Sequence, residues 1–578
     1  FLVLCNLCIW VSAQSTTTYS VISGSAGNDM GIVVDDYIYA MRPIFPGSAL
    51  YRGEAPSGKP YRYVKLKSKT SEIIENEPFE RQPPDSAAAL NEFYGRNWTI
   101  KEVLEFPTLP FPHGFNRLQS ALHLHDEIPT IHVMADPEEV KRIHQYYLQN
   151  IAIEANVTYI SSTKVETLPM SKLKIGGRSS RLFKKLGYSI KFPKGDDFEG
   201  FRKLKLRSTT SDPSYMREYL TSEMMKSASV PSSQYSYTLS ILNLVCSRKS
   251  NTFINNQNYQ KGKNNYYKNG ILYQGHGGRE YKVRAGLDYK GNAADDYDHK
   301  SYTIAVKPKQ GKNNYDALVR FIQFIHFQLQ DQPNMTPEEI DETATEWESK
   351  LDVSGFLAAM AFEFFHGSFD GYIQNTNNYF LYKDPKKDRL VFVPSDYDYT
   401  FGNGPVTMDA ITVGDYNDYP GLYIRPLTTA ILNIPVYRQI FEGQLNAIGK
   451  LYNPQVSSPI VDSIADFIRD DVEWDKSLER VKRGLNFVPF GTRHSISDFI
   501  HQNSSDDSAG LPITFSLVNG LDYLARVNLD VPFEEAIEGP TGHSSLFGIK
   551  EWFEVKYNNF INKTPYESGL LNTPLHLL

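Results

Sequence analysis

The segment YFLYKDPKKDRLVFV, residues 379–393, constrains the fold of this chain more than any other feature. Asp384-Pro385 marks a turn, so the two flanking strands run antiparallel and their outer ends come together. Polar residues stand at both outer ends. Asp370 and a cluster of asparagines precede the first strand, and an Asp-Tyr-Asp triplet at 396–398 follows the second. Because side chains alternate along a strand, both carboxylates of the triplet can point to the same side.

A loop Asp, nearby Asn residues and an Asp pair at a strand end are what a divalent metal with bound phosphates needs. Hard oxygen ligands hold the metal, and a separate carboxylate accepts the proton of the attacking hydroxyl. An isolated DxD pattern is more often structural, with Asp398 capping the turn before residues 402–404 and Asp396 making a local hydrogen bond. The nearby Asp370 and the asparagines favour the functional interpretation.

A second set of residues combines a strand lysine with a helix carboxylate. Lys191 lies in YSIKF, and Glu223 lies in the next predicted helix. A basic side chain held by a carboxylate can place its charge against nucleotide phosphates. Lys185 and Lys205 compete for this role. The turn GGRSSR, residues 176–181, can offer backbone N–H groups to phosphate.

Composition excludes some classes of protein. With 578 residues, 41% hydrophobic, the chain can bury the cores of two to four domains. The net charge of −7 argues against nonspecific nucleic-acid binding, so no nucleic-acid partner is expected. Two of the three cysteines, Cys5 and Cys8, lie in the first 13 residues. Cys246 is then alone, and no internal disulfide is expected.

The first residues predict secretion. Residues 1–13 resemble the apolar part of an N-terminally incomplete signal peptide, and no later run is long enough to span a membrane. N-glycosylation is expected at some of the five N-x-S/T sequons. Their asparagines are Asn97, Asn156, Asn334, Asn503 and Asn562.

The order of elements predicts an α+β chain with a small N-terminal β domain. Helices are predicted at residues 136–150, around SAAALNEFYGR, and after Asp212-Pro213 as N-cap and first helical residue. The predicted units are a leader at 1–13, a β-rich domain with an irregular linker at 19–130, a sheet-containing region at 131–310, a helical region carrying the motif at 311–562, and a tail at 563–578.

At this point the motifs resemble a known family. HGSFDGY, NNYFLY and FVPSDYDYTFG are similar to the core of CotH proteins, spore-coat-type atypical secretory kinases of bacteria and Mucorales fungi. KLKIGGRSSRLFKKLGYSIKF resembles the Gly/Ser turn and Lys strand of that family. LKLRSTTSDPSYMREYLTSEMM resembles its Asp-Pro-Ser…Arg helix. Further pieces, among them EAIEGPTGHSSLFGIKEWFE, resemble the fungal branch.

The resemblance implies a two-lobed, kinase-like fold and ATP-dependent phosphorylation of Ser or Thr on secreted or coat proteins, with Mg²⁺ or Mn²⁺. In the Mucorales branch it also implies cell-surface or spore-coat display and adhesion to host cells through a host-cell surface chaperone. Carried over by position, the implied site comprises the catalytic Asp370, the metal ligands Asp396, Asp398, Asn375 and Asn378, and the nucleotide-binding Lys191, Glu223 and Ser179.

One segment departs from the family pattern. After SYTLSILN the family continues with a Gly-Leu-x-Gly…Glu segment that lines the nucleotide pocket, whereas this chain reads LVCSRKSNTFINNQNYQKG. The departure supports an alternative, a catalytically weak or inactive surface protein that acts as an adhesin, an invasin or a structural spore-coat component. A third interpretation, a metal-dependent sugar transferase, rests on the DxD pattern alone.

Overall fold

The computed structural model of the protein describes residues 15–24, 28–68, 70–86, 88–111, 120, 122–177, 179–194, 197–241, 244–250, 269–277, 284–309, 311–478, 513–527, 529 and 531–563. The predicted leader, the Asn503 sequon, the divergent segment from residue 251 onwards and the tail beyond Lys563 lie outside the described residues. So do the side chains of Ser179 and of residues 244–250.

Helices and sheets both contribute to the structure, which confirms the α+β class. The strands are β1 (Thr16–Ile22), β2 (Asn28–Val34), β3 (Tyr37–Pro43), β4 (Leu50–Pro56), β5 (Arg62–Lys67), β6 (Ile73–Asn76), β7 (Ala88–Phe93), β8 (Thr130–Ala135), β9 (Ala152–Ile160), β10 (Val165–Ile175), β11 (Tyr188–Lys191), β12 (Lys203–Leu206), β13 (Gln234–Ser240), β14 (Leu244–Ser250), β15 (Leu272–Gly275), β16 (Tyr302–Val306), β17 (Tyr379–Lys383) and β18 (Leu390–Pro394).

The α-helices of the described residues differ widely in length. They are α1 (Pro137–Gln145), α2 (Arg217–Ser227), α3 (Asp316–Asp331), α4 (Pro337–Glu342), α5 (Ala344–Lys350), α6 (Val353–His366), α7 (Tyr372–Asn375), α8 (Met408–Ile411), α9 (Pro426–Leu432), α10 (Pro435–Tyr452), α11 (Pro454–Ser477), α12 (Leu517–Arg526), α13 (Phe533–Glu538) and α14 (Ile549–Lys563). Within the described residues, no helix has the length and apolar character needed to cross a membrane.

Strands β1–β7 form one sheet in the order β6-β5-β2-β3-β4-β1-β7, in agreement with the small N-terminal β domain that the sequence predicts. The helix predicted around SAAALNEFYGR is wrong, because Ala88–Phe93 forms strand β7. It pairs in parallel with β1, with Ile22 opposite Phe93. Helix propensity is a weak preference, and the backbone hydrogen bonds that this segment forms with the edge of β1 outweigh it here.

Strands β8–β14 close into a barrel in the order β10-β11-β12-β14-β13-β8-β9. Alternate side chains point inwards, and Leu173, Ile190 and Leu204 are almost fully buried in its core. Along each strand, the residues that alternate with these inward residues point outwards. The outward face of β10–β12 is therefore available to form one wall of a site.

Helix α2 begins at Arg217, later than predicted. Met216, not Asp212, is its N-cap residue, although the Asp212 carboxylate accepts the backbone N–H of Arg217 at 2.9 Å. This carboxylate also accepts the backbone N–H of Ser214 at 3.1 Å and pairs with the buried Arg217 guanidinium at 2.5 Å. Arg217 also donates to the carbonyl oxygens of Thr400 at 3.1 Å and Phe547 at 2.7 Å. This buried pair ties the start of α2 to the end of the 366–404 segment.

One hydrophobic core joins α2, most of the later helices and a sheet in the order β16-β15-β17-β18. Helix α6 is buried along nearly all its length and ends at Gly367, whose φ of 59° is a left-handed cap. Strands β17 and β18 pair antiparallel with Tyr379 opposite Pro394, which confirms the predicted hairpin. The backbone N–H of Asp384 donates to the carbonyl of Arg389 at 2.9 Å and closes its turn.

Candidate active site

A cleft of about 830 Å³ is lined both by the outward face of β10–β12 and by the sheet β15–β18. Its size falls within the range of small-molecule sites. The lining is basic on the barrel side, apolar on the sheet side, and acidic where the 366–404 segment enters. The basic residues include Lys174, Lys203, Lys205 and Arg207, the apolar ones Leu272, Phe380 and Val393, and the acidic ones Asp370, Asp396 and Asp398.

The hairpin brings the three carboxylates together, as its antiparallel pairing requires. The backbone N–H of Ser395 donates to the carbonyl of Asn378 at 2.8 Å, which joins the two outer ends. Burial raises the pKa of Asp398, and the charges of Glu218 and Asp370 raise it further. Asp396 adopts a φ of 67°, a left-handed conformation that is uncommon outside glycine. The structure thus places Asp370, Asp396 and Asp398 in one acidic cluster.

Asp370 is oriented by three asparagine amides. Asn375 and Asn377 donate to its Oδ1 at 2.5 and 3.1 Å, and Asn378 donates to its Oδ2 at 2.7 Å. Burial raises the pKa of Asp370, and these hydrogen bonds oppose the rise. Asn375 and Asn378, predicted to assist a metal, therefore contact Asp370 through their nitrogen atoms. Asn375 Oδ1 is buried without a hydrogen-bond partner among the described residues and is available to a further ligand.

Glu363 is a part of this site that the sequence reasoning missed. Its carboxylate accepts the backbone N–H groups of Tyr372 and Ile373, each at 2.9 Å, at the start of α7. Gly371 packs directly against this carboxylate and leaves no room for a Cβ atom. Burial raises the pKa of Glu363 to about 7. The signal that could have revealed it is one carboxylate inside the apolar run GFLAAMAFEFF.

Arg207 supplies the main cation among the carboxylates. Its guanidinium donates to Glu218 Oε1 at 2.6 Å, forms an ion pair with Asp396, and lies 3.8 Å from Asp398. Lys205 Nζ lies 3.8 Å from Asp396, and burial lowers the pKa of this lysine to about 8. The cation in contact with a helix carboxylate is therefore Arg207, and the carboxylate is Glu218 on α2.

The predicted Lys191–Glu223 pair does not form. Lys191 is exposed on β11 and is not among the residues that line the cleft. Glu223 pairs with Lys226 at 3.0 Å on another face of α2. Five residues along a helix correspond to about 500°, so Glu218 and Glu223 point in directions about 140° apart. Only the face of Glu218 reaches Arg207.

The predicted glycine turn lies beside the Arg207–Glu218 pair. Gly176, Gly177 and Ser180 line the same pocket as Arg207, Glu218 and Asp398. Gly177 has a φ of 79°, and a Cβ atom there would overlap the Ser180 side chain. The predicted nucleotide-binding residue Ser179 begins a short 3-10 turn that ends at Leu182.

The donor types suit a divalent cation such as Mg²⁺ or Mn²⁺. The oxygens of Asp370, Asp396 and Asp398 do not converge, however, since among the described residues only Glu105, His125 and Glu223 bring three His, Cys, Asp or Glu ligand atoms within 4.8 Å of one another. Three carboxylates share a partly desolvated cluster, and the unpartnered Oδ1 of Asn375 is a further hard oxygen next to Asp370. Burial raises the pKa of both Asp370 and Asp398, which shows that the cations present do not offset the cost of desolvating these carboxylates. A bound divalent ion would stabilise both in their charged form.

Known proteins are similar to this chain in sequence. The family described as "CotH kinase protein" matches residues 173–483. Similar curated proteins come from the fungus Rhizopus delemar. "Spore coat protein homolog 1" is 22% identical over 497 residues, covering 82% of this chain and 76% of that protein. "Invasin CotH3" is 25% identical over 481 residues, covering 77% and 72%. "Invasin CotH2" is 24% identical over 440 residues, covering 71% and 69%.

Proposed function

Because the chain belongs to the CotH kinase protein family, we propose that it transfers the γ-phosphate of ATP to Ser or Thr of secreted or coat proteins in a metal-dependent reaction. The observation that carries this proposal is the cleft, where Asp370, the Asp396–Asp398 pair and Arg207 lie beside a glycine turn. The barrel and the helical core act as the two lobes of an atypical kinase, and the phosphates lie between them.

In this reaction the acceptor hydroxyl oxygen bonds to the γ-phosphorus, the bond to the β–γ bridging oxygen breaks, and ADP leaves. Asp370 accepts the hydroxyl proton. Its pKa is raised by burial, which makes it a stronger proton acceptor than an exposed aspartate. The amides of Asn375, Asn377 and Asn378 fix the orientation of its carboxylate, so only small rearrangements precede the transfer.

Asp396 and Asp398 would hold Mg²⁺ or Mn²⁺, with Asn375 or Asn378 as a further oxygen ligand. The ion would neutralise charge on the phosphate oxygens. Arg207 is held by Glu218 and can add its charge on the same side of the cleft. The turn with Gly176 and Gly177 offers backbone N–H groups beside it.

A matched set of Asp→Asn variants tests the proposal. The purified protein is incubated with radiolabelled ATP, Mg²⁺ or Mn²⁺ and protein acceptors. Wild type and Asp388→Asn, a control at the exposed hairpin tip, should transfer label. Asp370→Asn should lose about 10²-fold or more in rate because it cannot accept the proton. Asp396→Asn should need more metal for the same rate. Equal transfer by all four proteins would contradict the proposal.

A second candidate function is adhesion at the cell or spore surface. It is favoured by the relatives, two of which are named invasins and one a spore coat protein homolog. On this proposal the chain is secreted, carries N-linked glycans and binds a host-cell receptor such as a surface chaperone, or forms part of the spore coat. The sequon asparagines of the described residues are all exposed, namely Asn97, Asn156, Asn334 and Asn562.

Adhesion is tested separately from catalysis. Wild type and Asp370→Asn are immobilised on beads, and binding to host cells is counted against beads carrying albumin. Equal binding by the two proteins, above albumin, supports an adhesive surface independent of phosphate transfer. Binding of the wild type no better than that of albumin contradicts adhesion.

A further inference from the structure

Five lysines share the outward face of β10, β11 and β12. The inward residues of these strands fill the barrel core, and the lysines alternate with them. The lysines are Lys172, Lys174, Lys191, Lys203 and Lys205.

The strand register places these lysines side by side. Lys191 lies directly opposite Lys172 on one neighbour and Lys203 on the other, so three lysines form a single cross-strand row. The adjacent row contains Lys174 and Lys205 on either side of Ser189. Like charges directly opposite one another destabilise a sheet. A row of three is a cost to folding that an anionic ligand would remove.

The carboxylates of the described residues leave most of this charge uncompensated. Lys172 pairs with Glu154 at 3.1 Å, and Lys205 lies 3.8 Å from Asp396. Ion pairs to Lys174, Lys191 and Lys203 are absent from the described part of the chain. The pKa of Lys203 is lowered by burial and further by the charges of neighbouring lysines.

The position of this lysine face relative to the cleft indicates what it binds. Lys174, Lys203 and Lys205 line the cleft that contains Asp370, whereas Lys172 and Lys191 continue the face outside it. A ligand that uses the whole face must therefore extend from the cleft to the surface. A nucleotide held at the glycine turn by Arg207 would lie inside the cleft, but a polypeptide leaves it.

We propose that the lysine face binds an acidic segment, rich in Asp and Glu, that flanks the acceptor residue of the protein substrate. The proposal rests on the proposed kinase function, since it assigns the acceptor class of the same site. Rows two residues apart are about 7 Å apart, and three strands span about 10 Å. An extended acidic run of about three or four residues covers this area.

The experiment measures peptide binding without phosphate transfer. Fluorescent peptides carrying one Ser and either four Glu or four Gln are titrated with the Asp370→Asn protein, and anisotropy is recorded. The Glu peptide should bind at least tenfold more tightly than the Gln peptide, and added salt should reduce the difference. Equal affinities would overturn the proposal.

Charge reversal locates the binding surface. Lys191→Glu with Lys203→Glu should abolish the preference for the Glu peptide. A control with the same change in charge, Lys67→Glu with Lys141→Glu, alters exposed lysines elsewhere and should retain it. Retention by the first variant, or loss by the control, would overturn the proposal. Circular dichroism and melting temperature check that each variant is folded.

Competition separates the acceptor from the nucleotide. Saturating ATP with Mg²⁺ should leave Glu-peptide binding intact, because the two ligands occupy different parts of the cleft. Complete displacement by ATP would assign the lysines to the nucleotide and overturn the proposal. If the wild type shows the peptide preference but transfers no label, the kinase function fails while the acidic-segment site remains.

Discussion

The buried carboxylate of Glu363 supports the loop that carries Asp370, and replacing it tests that role. In Glu363→Ala the backbone N–H groups of Tyr372 and Ile373 lose their acceptor in a fully buried position. An unsatisfied buried donor costs about 1–3 kcal/mol, so the pair should cost about 4 kcal/mol. The same change frees Asp370 to move, and the rate of phosphate transfer should fall with it.

Glu363→Gln adds a pH signature that a packing role would not produce. The pKa of Glu363 is about 7 in the folded chain because of burial, against 4.5 for an ordinary glutamate. The folded state therefore binds more protons than the unfolded state between these values. Stability from this group is fully present below pH about 4.5 and is lost as the pH rises through 7. The loss amounts to about 3 kcal/mol.

The assay is urea unfolding followed by tryptophan fluorescence at pH 5, 6, 7 and 8. It reports on this region because Trp347 and Trp552 are buried in the core that contains Glu363. The stability of wild type relative to Glu363→Gln should fall by about 2.5 kcal/mol between pH 5 and pH 8, because part of the full effect is already lost at pH 5. A difference that stays constant with pH, or a loss below about 1 kcal/mol in Glu363→Ala, would contradict this role of Glu363.

Two further substitutions test the supports of the site. Arg217→Met leaves the Asp212 carboxylate buried without its partner and should destabilise the chain by about 3–5 kcal/mol, measured by urea unfolding. The double variant with Asp212→Asn should recover part of the loss, and no recovery would contradict the pairing. Gly404→Ala places a Cβ atom against the Phe369 ring at a backbone φ of 149°. It should displace Asp370 and lower the rate of phosphate transfer, with a smaller effect on the free energy of unfolding. Gly443→Ala, in open space inside α10, is its control: it should leave the rate of transfer unchanged and raise the free energy of unfolding by about 0.5–1 kcal/mol.

Local patterns identified much of the site because they act over short distances. The hairpin around Asp384 fixes its own register, and that register forces Asp370 and the 396–398 triplet together wherever the hairpin packs. Asp136, the first residue of the helix predicted at 136–150, caps α1, since its carboxylate accepts the N–H groups of Glu138 and Glu139. These features depend on turn chemistry and on neighbours within a few residues.

The pairing of charges across the cleft could not be predicted from local sequence patterns. The sequence offers several lysines on β11 and β12 and two glutamates on α2, all with suitable local settings. Whether Glu218 or Glu223 faces the cleft depends on the rotation of α2 against the core. Whether Arg207 or Lys191 contacts that glutamate depends on which cross-strand row of the barrel face lies next to the 366–404 segment.

Sequence patterns alone predict the hairpin, the acidic cluster, the α+β class and the family. Three features follow only from tertiary packing: the Arg207–Glu218 pair, the strand Ala88–Phe93, and the support of the Asp370 loop by Glu363. The difference lies in the range of the forces. Turns and strand alternation are fixed by adjacent residues, whereas the partners of a charge or a strand edge are set by long-range packing.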